Sequence, residues 1–498
     1  MNDFRVLFLY PNLRRMSLVP PSICLLSQVL KDNDITVDLF DTTYYAVEGF
    51  LEDSDAANKA DLVTRPYDAD DKIQLKESDV YEEFNRKVED FRPDLIAVSV
   101  DESTFILGIS LLRAIRHHNI PTIAGGVFPT FAPDRVLSFP EIDMICVGEG
   151  EISLVELCER LCRGADYSNV TNLWVKQKDG GILRNPPAQP VDTDSNPFPD
   201  VGIFEKRRHY RAMAGDIYLM MAIETHRGCP FKCGYCNSPA QNRLYKYETG
   251  CNFLRKRSLD NIYGELKTYR DIRKAEYIFF WADTFFTYSN REIDEFCEMY
   301  SDIGLPFYCN AHPKTINDYK VKRLKEVGLH RMGVGIEHGN ENFRREIVNR
   351  SYSNQEVIEA LQIPKRNNVQ FSANNIIGFP DETYELAMDT VELNRHISAS
   401  DHSCSIFQPY HGTALRELAV KRGFLNPDFI APTNTDGSVL NMPCFPEEQI
   451  KGLRRTFVMY TKFPKSRWNE IKIAEQSTPE GDAVWENLRE EFVGTYFN

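Results

Sequence analysis

The chain has 498 residues, too many for one ordinary core and suited to two or three domains. Hydrophobic residues make up 42% and charged residues 26%, the proportions of a folded globular protein, and no apolar run is long enough to cross a bilayer. A net charge of -15 disfavours a general nucleic-acid binder, which needs a broad basic surface to neutralise phosphates.

The N-terminal stretch MNDFRVLFLYPN lacks a cationic segment followed by a leader-length apolar run and does not read as a signal peptide. Twelve cysteines are scattered along the chain, which favours reduced thiols in a cytoplasmic protein over a disulfide framework. Residues 1–165 alternate short β-branched runs with amphipathic stretches. Strands are expected at Arg5–Tyr10, Thr36–Phe40, Leu95–Val100, Thr122–Ala124 and Met144–Val147, with helices such as Ser22–Lys31 and Phe105–His117 between them. Such alternation implies an α/β domain with a parallel sheet of flavodoxin-like or Rossmann-like order, whose ligands sit at the carboxyl ends of the strands. The polar stretch Glu52–Ser78 interrupts the rhythm and reads as a surface excursion or helical lid.

Residues 166–215 are rich in Pro, Asn and Asp and read as an inter-domain linker. A second alternation covers 216–422, with strands expected at Tyr218–Glu224, Tyr277–Trp281, Phe307–Asn310, Met332–Glu337, Gln370–Ile377 and His402–Phe407. Six βα units make an incomplete barrel, open on one side, with function at the strands' carboxyl ends. Residues 423–498 read as mostly helical, with a lid over the barrel mouth as the expectation and no chemistry assigned.

The segment THRGCPFKCGYCNSP follows the first barrel strand and places Cys229, Cys233 and Cys236 on one loop with C-x3-C-x2-C spacing. Three thiolates on a short loop can each take one iron of a cubane, leaving the fourth iron open to a chelating substrate. Gly228 and Gly234 would let the backbone approach the cluster, and Pro230 would stiffen the turn. The alternative is a structural zinc site completed by His226. Cys158 and Cys162 share one helical face with Leu154 and Leu161 and read as core packing. The basic run Arg255, Lys256 and Arg257 precedes Ser258, a helix N-cap candidate, and reads as a solvated turn, with an anionic-substrate contact as the alternative. His312, His338 and His411 lie at expected strand ends and are candidates for a proton donor or a metal neighbour.

The cysteine motif resembles the signature of the radical S-adenosylmethionine (SAM) superfamily, and further segments resemble its B12-binding branch. These are WADTFF (Trp281–Phe286), MGVGIEHG (Met332–Gly339) with Asn349 and Arg350, NIIGFPDET (Asn375–Thr383) with Asp381 where Gly is usual, and FQPYHGT (Phe407–Thr413) with His411 where Pro is usual. In the N-terminal domain YPN...VPPSI (Tyr10–Ile23), AGGVFPTFAP (Ala124–Pro133) and VGEGE (Val147–Glu151) resemble the cobalamin-binding domain of the same branch. The resemblance implies a [4Fe-4S] cluster on Cys229, Cys233 and Cys236. It implies SAM contacts from Tyr235, Asp283, Glu337, Arg350 and Gly378. For cobalamin it implies Pro11, Asn12, Ser99, Thr104, Gly125, Gly126, Val127, Glu149 and Gly150, the paired glycines leaving room for the ligand.

The resemblance departs from other cobalamin domains in one place. In the cobalamin domains of methionine synthase and the mutases a D-x-H-x-x-G loop supplies a histidine to the cobalt, whereas here, as in many radical SAM relatives, the motif is lost: the loop reads PNLRRMSLVPP and no histidine precedes His117. Either cobalamin binds with its lower face shielded by Arg14, Arg15 or Met16, or the domain is retained empty or reshaped for substrate. The function implied is a cobalamin-dependent radical SAM methyltransferase acting on an unactivated carbon or another poorly nucleophilic centre. Alternatives are a radical SAM cyclase, ring-rearranging or carbon-carbon coupling enzyme, and a non-catalytic zinc module. The expected partners are a small-molecule substrate and an electron donor such as flavodoxin or ferredoxin, with no nucleic acid and no membrane span. No catalytic side chain is assigned.

Overall fold

The computed structural model describes residues 4–16, 19–47, 56, 59–65, 67–68, 72–435 and 437–497. They fall into two compact bodies, Met1–Ser54 with Ala69–Arg211 and Asn237–Arg257, and Asp55–Asp68 with Ala212–Cys236 and Ser258–Asn498. Part of the polar excursion expected at Glu52–Ser78 (52–55, 57–58, 66 and 69–71) lies outside the described residues.

The first body is built on strands β1 (Arg5–Tyr10), β2 (Thr36–Asp41), β3 (Leu95–Ser99), β4 (Thr122–Gly125), β5 (Met144–Cys146), β6 (Leu173–Lys176) and β7 (Ile182–Arg184). They form one sheet in the order β2-β1-β3-β4-β5-β6-β7. The first five are parallel, in the flavodoxin-like order expected. Val6–Leu9 and Leu95–Val98 are buried throughout, as strands covered by helices on both faces must be. Helices Pro21–Lys31, Val80–Phe91, Phe105–Ala114 and Glu151–Cys162 accompany them, and Cys158 is fully buried on the last beside Leu154 and Leu157.

Strands β6 and β7 lie inside the Pro-rich stretch read as a linker and extend the sheet as an antiparallel hairpin. Its turn closes through Gly180 N–H to Gln177 O (3.0 Å) and Gln177 N–H to Gly181 O (2.8 Å). Strands of four and three residues are too short for an alternating pattern to stand out.

The second sheet contains β8 (Tyr210–Met213), β9 (Asp216–Glu224), β12 (Tyr277–Trp281), β13 (Phe307–Ala311), β14 (Leu329–Glu337), β15 (Gln370–Ile377) and β16 (Asp401–Ile406). Two-residue strands β10 (His226–Arg227) and β11 (Arg255–Lys256) precede β12 in the chain. The sheet order is β16-β15-β14-β13-β12-β9-β8. From β9 to β16 every pairing is parallel, the half-barrel of six βα units that the sequence suggests. Its two faces differ. Ile223, Phe280, Cys309, Val334, Ala373 and Cys404 are buried on the helix side, whereas Ala222, Phe279, Asn310, Gly335, Asn374 and Ser403 are partly open on the inner side. Helices Asn290–Ile303 and Asn354–Arg366 begin at reciprocal capping boxes, Ser289 with Glu292 and Ser353 with Glu356.

The C-terminal helices Glu447–Lys462, Trp468–Ala474 and Pro479–Tyr496 correct the expectation of a lid. Ile450, Leu453 and Phe457 share one buried cluster with Ile377, Cys404 and Ile406, so the helices back the outer face of β15 and β16. An amphipathic helix is drawn to the larger apolar surface, here the outward residues of the two edge strands. The loop ahead of them does reach the inner face, where the Asn434 amide donates to Ser405 Oγ at 3.2 Å.

Candidate active site and cofactor-binding loops

The loop after β9 carries the three clustered cysteines, with Cys229 buried and Cys233 and Cys236 half-buried. Gly228 has φ 89°, a conformation that favours glycine. Gly234 is held between the Val348 carbonyl (2.9 Å) and the Leu415 N–H (3.0 Å). A Cβ on Gly234 would lie 3.1 Å from Ile347 O and from Leu415 Cγ, so its missing side chain serves this packing. The Asn349 amide donates to Lys232 O at 2.6 Å and fixes the loop from the other side.

Burial pushes the Cys229 thiol up to about 11 and raises Cys233 as well. A metal must displace those protons. Three thiols on one pinned loop are a donor set suited to an iron-sulfur cluster. Thiolates that each hold a separate iron stand further apart than the ligands of one zinc. Among the described residues no group of three His, Cys, Asp or Glu is arranged to hold a single metal ion. His226 has its Nδ1 at 3.2 Å from Thr225 Oγ1 and its ring edge-on to Tyr288.

Three of the five residues expected at SAM converge. Tyr235 donates its hydroxyl to Glu337 Oε1 at 2.8 Å, and Arg350 Nη1 donates to the same oxygen at 2.8 Å and to Gly335 O at 2.9 Å. Glu337 ends β14 at φ 70°, beside a register shift after Gly335. This left-handed bulge aims the carboxylate inward and stores strain. A Cβ on Gly335 would lie 2.2 Å from Glu337 Oε1, so only glycine leaves the carboxylate its place. Burial pushes the Glu337 carboxyl up, and Arg350 and the Tyr235 hydroxyl pull it partly back. Arg350 Nε lies 3.3 Å from His312 Nε2, and the His312 ring stacks on Phe231 with centroids 3.7 Å apart. Burial, with Arg350 and Lys314 alongside, holds His312 down to about 2. The ring is therefore neutral and is not an ionised proton donor.

Gly378 sits at φ 84° after β15, and its N–H and that of Phe379 donate to Glu382 Oε2 at 2.6 and 2.8 Å. His338 Nδ1 accepts from Asn340 N–H, so Nε2 carries the proton and donates to Glu382 Oε1 at 3.1 Å. His338 thus ties the ends of β14 and β15 together. Asp381 stands at φ 66°, retaining the left-handed backbone for which glycine is usual. Asp283 lies exposed on the loop after β12.

In the first body Gly126 has φ 118°, and an added Cβ would lie 2.3 Å from Val100 O. Its glycine is required by the neighbouring backbone. Gly125, by contrast, has nothing within 4 Å of where a Cβ would be. Val127 is 49% exposed and Ile106 is 40% exposed. Gly125 and Val127 thus leave open, partly apolar surface at the carboxyl end of β4 that a large planar ligand can approach. Ser99 is half-buried at the end of β3.

The remaining residues expected at cobalamin hold the loops. Pro11 packs near Gly108, whose added Cβ would lie 3.1 Å from Pro11 Cγ. Asn12 donates its N–H to Thr42 Oγ1 (2.7 Å) and its amide to Thr43 Oγ1 and Met16 O (both 2.8 Å). Thr104 donates its N–H and hydroxyl to Asp101 Oδ1. Gly150 is the N-cap of the helix Glu151–Cys162.

Glu149 is engaged by Arg255 through both carboxylate oxygens, by Val191 N–H (3.0 Å), and at its own N–H by the Tyr245 oxygen (2.9 Å). Arg255 is therefore a largely buried partner rather than a solvated turn. Arg208 is 1% exposed and donates to Asp41 Oδ2 at 2.7 Å and Met16 O at 3.2 Å, fixing the loop after β1. Sequence reasoning missed Tyr245, Arg255 as a partner of Glu149, and Arg208, because partners 96, 106 and 167 residues apart leave no local pattern.

A family model for the B12 binding domain matches residues 17–158, and one for the radical SAM superfamily matches residues 223–393. With the half-barrel and its three-thiol loop, these define a radical SAM enzyme that carries a B12-binding domain. The chain belongs to the B12-binding radical SAM family. It shares 26% identity over 413 residues, 82% of its length and 87% of the relative's, with the uncharacterized methyltransferase PH0819 of Pyrococcus horikoshii. It shares 26% identity over 344 residues, 66% of its length and 59% of the relative's, with the anaerobic magnesium-protoporphyrin IX monomethyl ester cyclase of Rubrivivax gelatinosus. Among solved structures it is similar to OxsB, a cobalamin-dependent SAM radical enzyme with aqua-cobalamin and SAM bound (TM-score 0.66, 15% identity, 98% of this chain and 71% of that one). It is also similar to the radical SAM methyltransferase TsrM of Kitasatospora setae with cobalamin and a [4Fe-4S] cluster bound (TM-score 0.63, 16% identity, 85% and 76%).

Proposed function

We propose that the protein is a cobalamin-dependent radical SAM methyltransferase that methylates an unactivated carbon or another poorly nucleophilic centre of a small molecule. The observation that carries this reading is the union, in one chain, of a B12-binding domain with a radical SAM domain. When bound, the cluster supplies the electron that cleaves SAM to methionine and a 5'-deoxyadenosyl radical, and cobalamin supplies the methyl group.

Cys229, Cys233 and Cys236 hold the cluster. Glu337 offers its carboxylate to the SAM ammonium, and Arg350 offers its guanidinium to the SAM carboxylate. The two are already paired with each other at 2.8 Å, so SAM exchanges one buried ion pair for two and leaves neither charge uncompensated. Tyr235 and the Gly378 loop border the rest of SAM, and Asp283 is its exposed contact. Gly125, Val127 and Ser99 border the corrin. Pro11, Asn12, Thr104, Gly126, Glu149 and Gly150 hold that surface in shape.

The electron donor is a flavodoxin or ferredoxin, and the net charge of -15 supports a reading without nucleic acid. No helix among the described residues is long and apolar enough to cross a membrane. All twelve cysteines are free thiols, which supports placement in the cytoplasm.

A second reading, cyclisation, is favoured by the similarity to the magnesium-protoporphyrin cyclase. Product mass separates the two. With methyl-deuterated SAM, reductant and hydroxocobalamin, methylation transfers the label to the product, whereas cyclisation removes hydrogen and transfers none. Formation of 5'-deoxyadenosine with no labelled product from any accepted substrate would favour cyclisation, and no SAM cleavage at all would overturn both.

A further inference from the structure

We propose, resting on the enzymatic reading above, that the part of the substrate entering the half-barrel is a flat, uncharged group with neutral hydrogen-bonding atoms. The inner face of the sheet is divided into two unlike walls. On β12 and β13, Phe279 and Tyr308 stack with centroids 4.8 Å apart and planes 18° apart, and Trp281 lies 5.9 Å from Phe279. All three are only half-buried. On β15 and β16, Ser403 donates to Asn374 Oδ1 at 3.0 Å, and Ser405 accepts from Asn434. Beyond Asp401, which starts β16 and is paired with Arg331, these side chains of the second wall are amide and hydroxyl.

Between the walls runs β14 with Gly333 and Gly335. Asn310, Gly333 and Ser372 are in register, as are Gly335, Asn374 and Ser403. The Tyr308 hydroxyl donates to Asn310 Oδ1 at 3.0 Å, and a Cβ on Gly333 would lie 2.0 Å from that hydroxyl. The glycines therefore leave their places to the Tyr308 hydroxyl and the Glu337 carboxylate, and β14 separates an aromatic shelf from a polar one. Flat groups are held by aromatic faces through offset stacking, and neutral amides and hydroxyls recognise carbonyl, amide and hydroxyl groups.

The charges on this face above the strand starts are each already matched. Arg331 pairs with Asp401, which Arg65 also approaches at 3.5 Å. Glu224 pairs with Arg227 at 2.9 Å, and Glu337 with Arg350 at 2.8 Å. Arg350 is reserved for SAM in the reading above. An anionic or cationic group entering between these walls would lose its water and meet a counter-ion already spent. A neutral group loses less and gains the amide wall.

The test uses full-length protein loaded with cluster and cobalamin, in equilibrium dialysis against three probes of similar size. Naphthylacetamide is flat and neutral, naphthylacetate is flat and anionic, and cyclohexylacetamide is neutral but not flat. The amide of naphthalene is expected to bind at least about tenfold tighter than either other probe, the ratio that one lost polar or stacking contact produces. Phe279→Leu is expected to abolish the preference over cyclohexylacetamide while keeping that over the carboxylate. Asn374→Leu is expected to weaken both amides and spare the carboxylate. Iron content and thermal midpoint identify a variant that has failed to fold. Equal or tighter binding of naphthylacetate, equal binding of cyclohexylacetamide, or no measurable binding of the neutral flat probe overturns the proposal. The same samples, given SAM and reductant, report 5'-deoxyadenosine. Its absence sinks the enzymatic reading whatever the binding order is.

Discussion

Gly125 and Gly126 are adjacent, yet the structure gives them opposite duties, and a pair of substitutions separates them. Gly126→Ala forces a side chain into a backbone at φ 118° and sets its Cβ 2.3 Å from the Val100 carbonyl. The unfavourable backbone region costs roughly 1–3 kcal/mol, and relieving the overlap by moving β3 or β4 costs roughly 1–3 kcal/mol more. The total, about 2–6 kcal/mol, is a large fraction of a domain's usual stability. Urea titration with hydrogen-exchange readout of the amides of Ala124–Phe131 should show the loss with no cofactor added. Gly125→Leu places its side chain in open space. It should leave that unfolding transition within about 0.5 kcal/mol of wild type, as for surface substitutions, while lowering hydroxocobalamin retention by at least about tenfold, the scale of one lost close contact. A Gly126→Ala protein as stable as wild type, or a Gly125→Leu protein that retains corrinoid normally, would refute the division of roles.

Arg255→Met leaves the Glu149 carboxylate buried without its guanidinium and should destabilise the first body by about 3–5 kcal/mol. Tyr245→Phe removes one hydrogen bond and should cost about 1 kcal/mol, both read by the same urea experiment. Asp381→Gly should be neutral within about 1 kcal/mol, since relief of a left-handed Asp offsets loss of the exposed pair with Arg422. Asp381→Val should lose about 1–3 kcal/mol, because a branched side chain tolerates φ 66° poorly. Burial raises the Glu337 carboxyl above its ordinary range. It is therefore protonated below that raised value and ionised above it, and SAM affinity measured by calorimetry should fall as pH is lowered through it. Glu337→Gln should bind SAM weakly with this pH dependence removed, and an unchanged pH profile in that variant would exclude Glu337 as the ammonium partner.

Much of the architecture was legible because short apolar or alternating runs between helical stretches mark the strands of a parallel sheet. Tyr277–Trp281 and Gln370–Ile377 were bounded at the residues where the strands begin and end. The hairpin of β6 and β7 was not legible, its strands being only four and three residues long, and nothing in the sequence of the C-terminal helices marks the outer face of β15 and β16 as the surface they cover. Helical periodicity tells that a face is apolar and says nothing of which surface it will meet. At the site, the convergence of Tyr235, Glu337 and Arg350 followed from motif order. The reasons for Gly126, Gly234 and Glu149 did not, because each depends on an atom distant in sequence: Val100 O, Ile347 O and Arg255. A glycine motif marks where a side chain is forbidden, and only the fold shows what forbids it.

The central claim is that one chain holds both an open-iron cluster and a cobalamin without a protein base, and electron paramagnetic resonance of a single sample tests it. The protein is reconstituted anaerobically, loaded with cobalamin, reduced, and measured before and after SAM is added. The expected result is a reduced [4Fe-4S] signal that shifts when SAM binds, together with a cob(II)alamin signal free of nitrogen superhyperfine splitting, since no histidine precedes His117. A cluster signal indifferent to SAM, or any axial nitrogen splitting in the cob(II)alamin signal, whether lost or kept in variants of His312, His338 and His411, would contradict it.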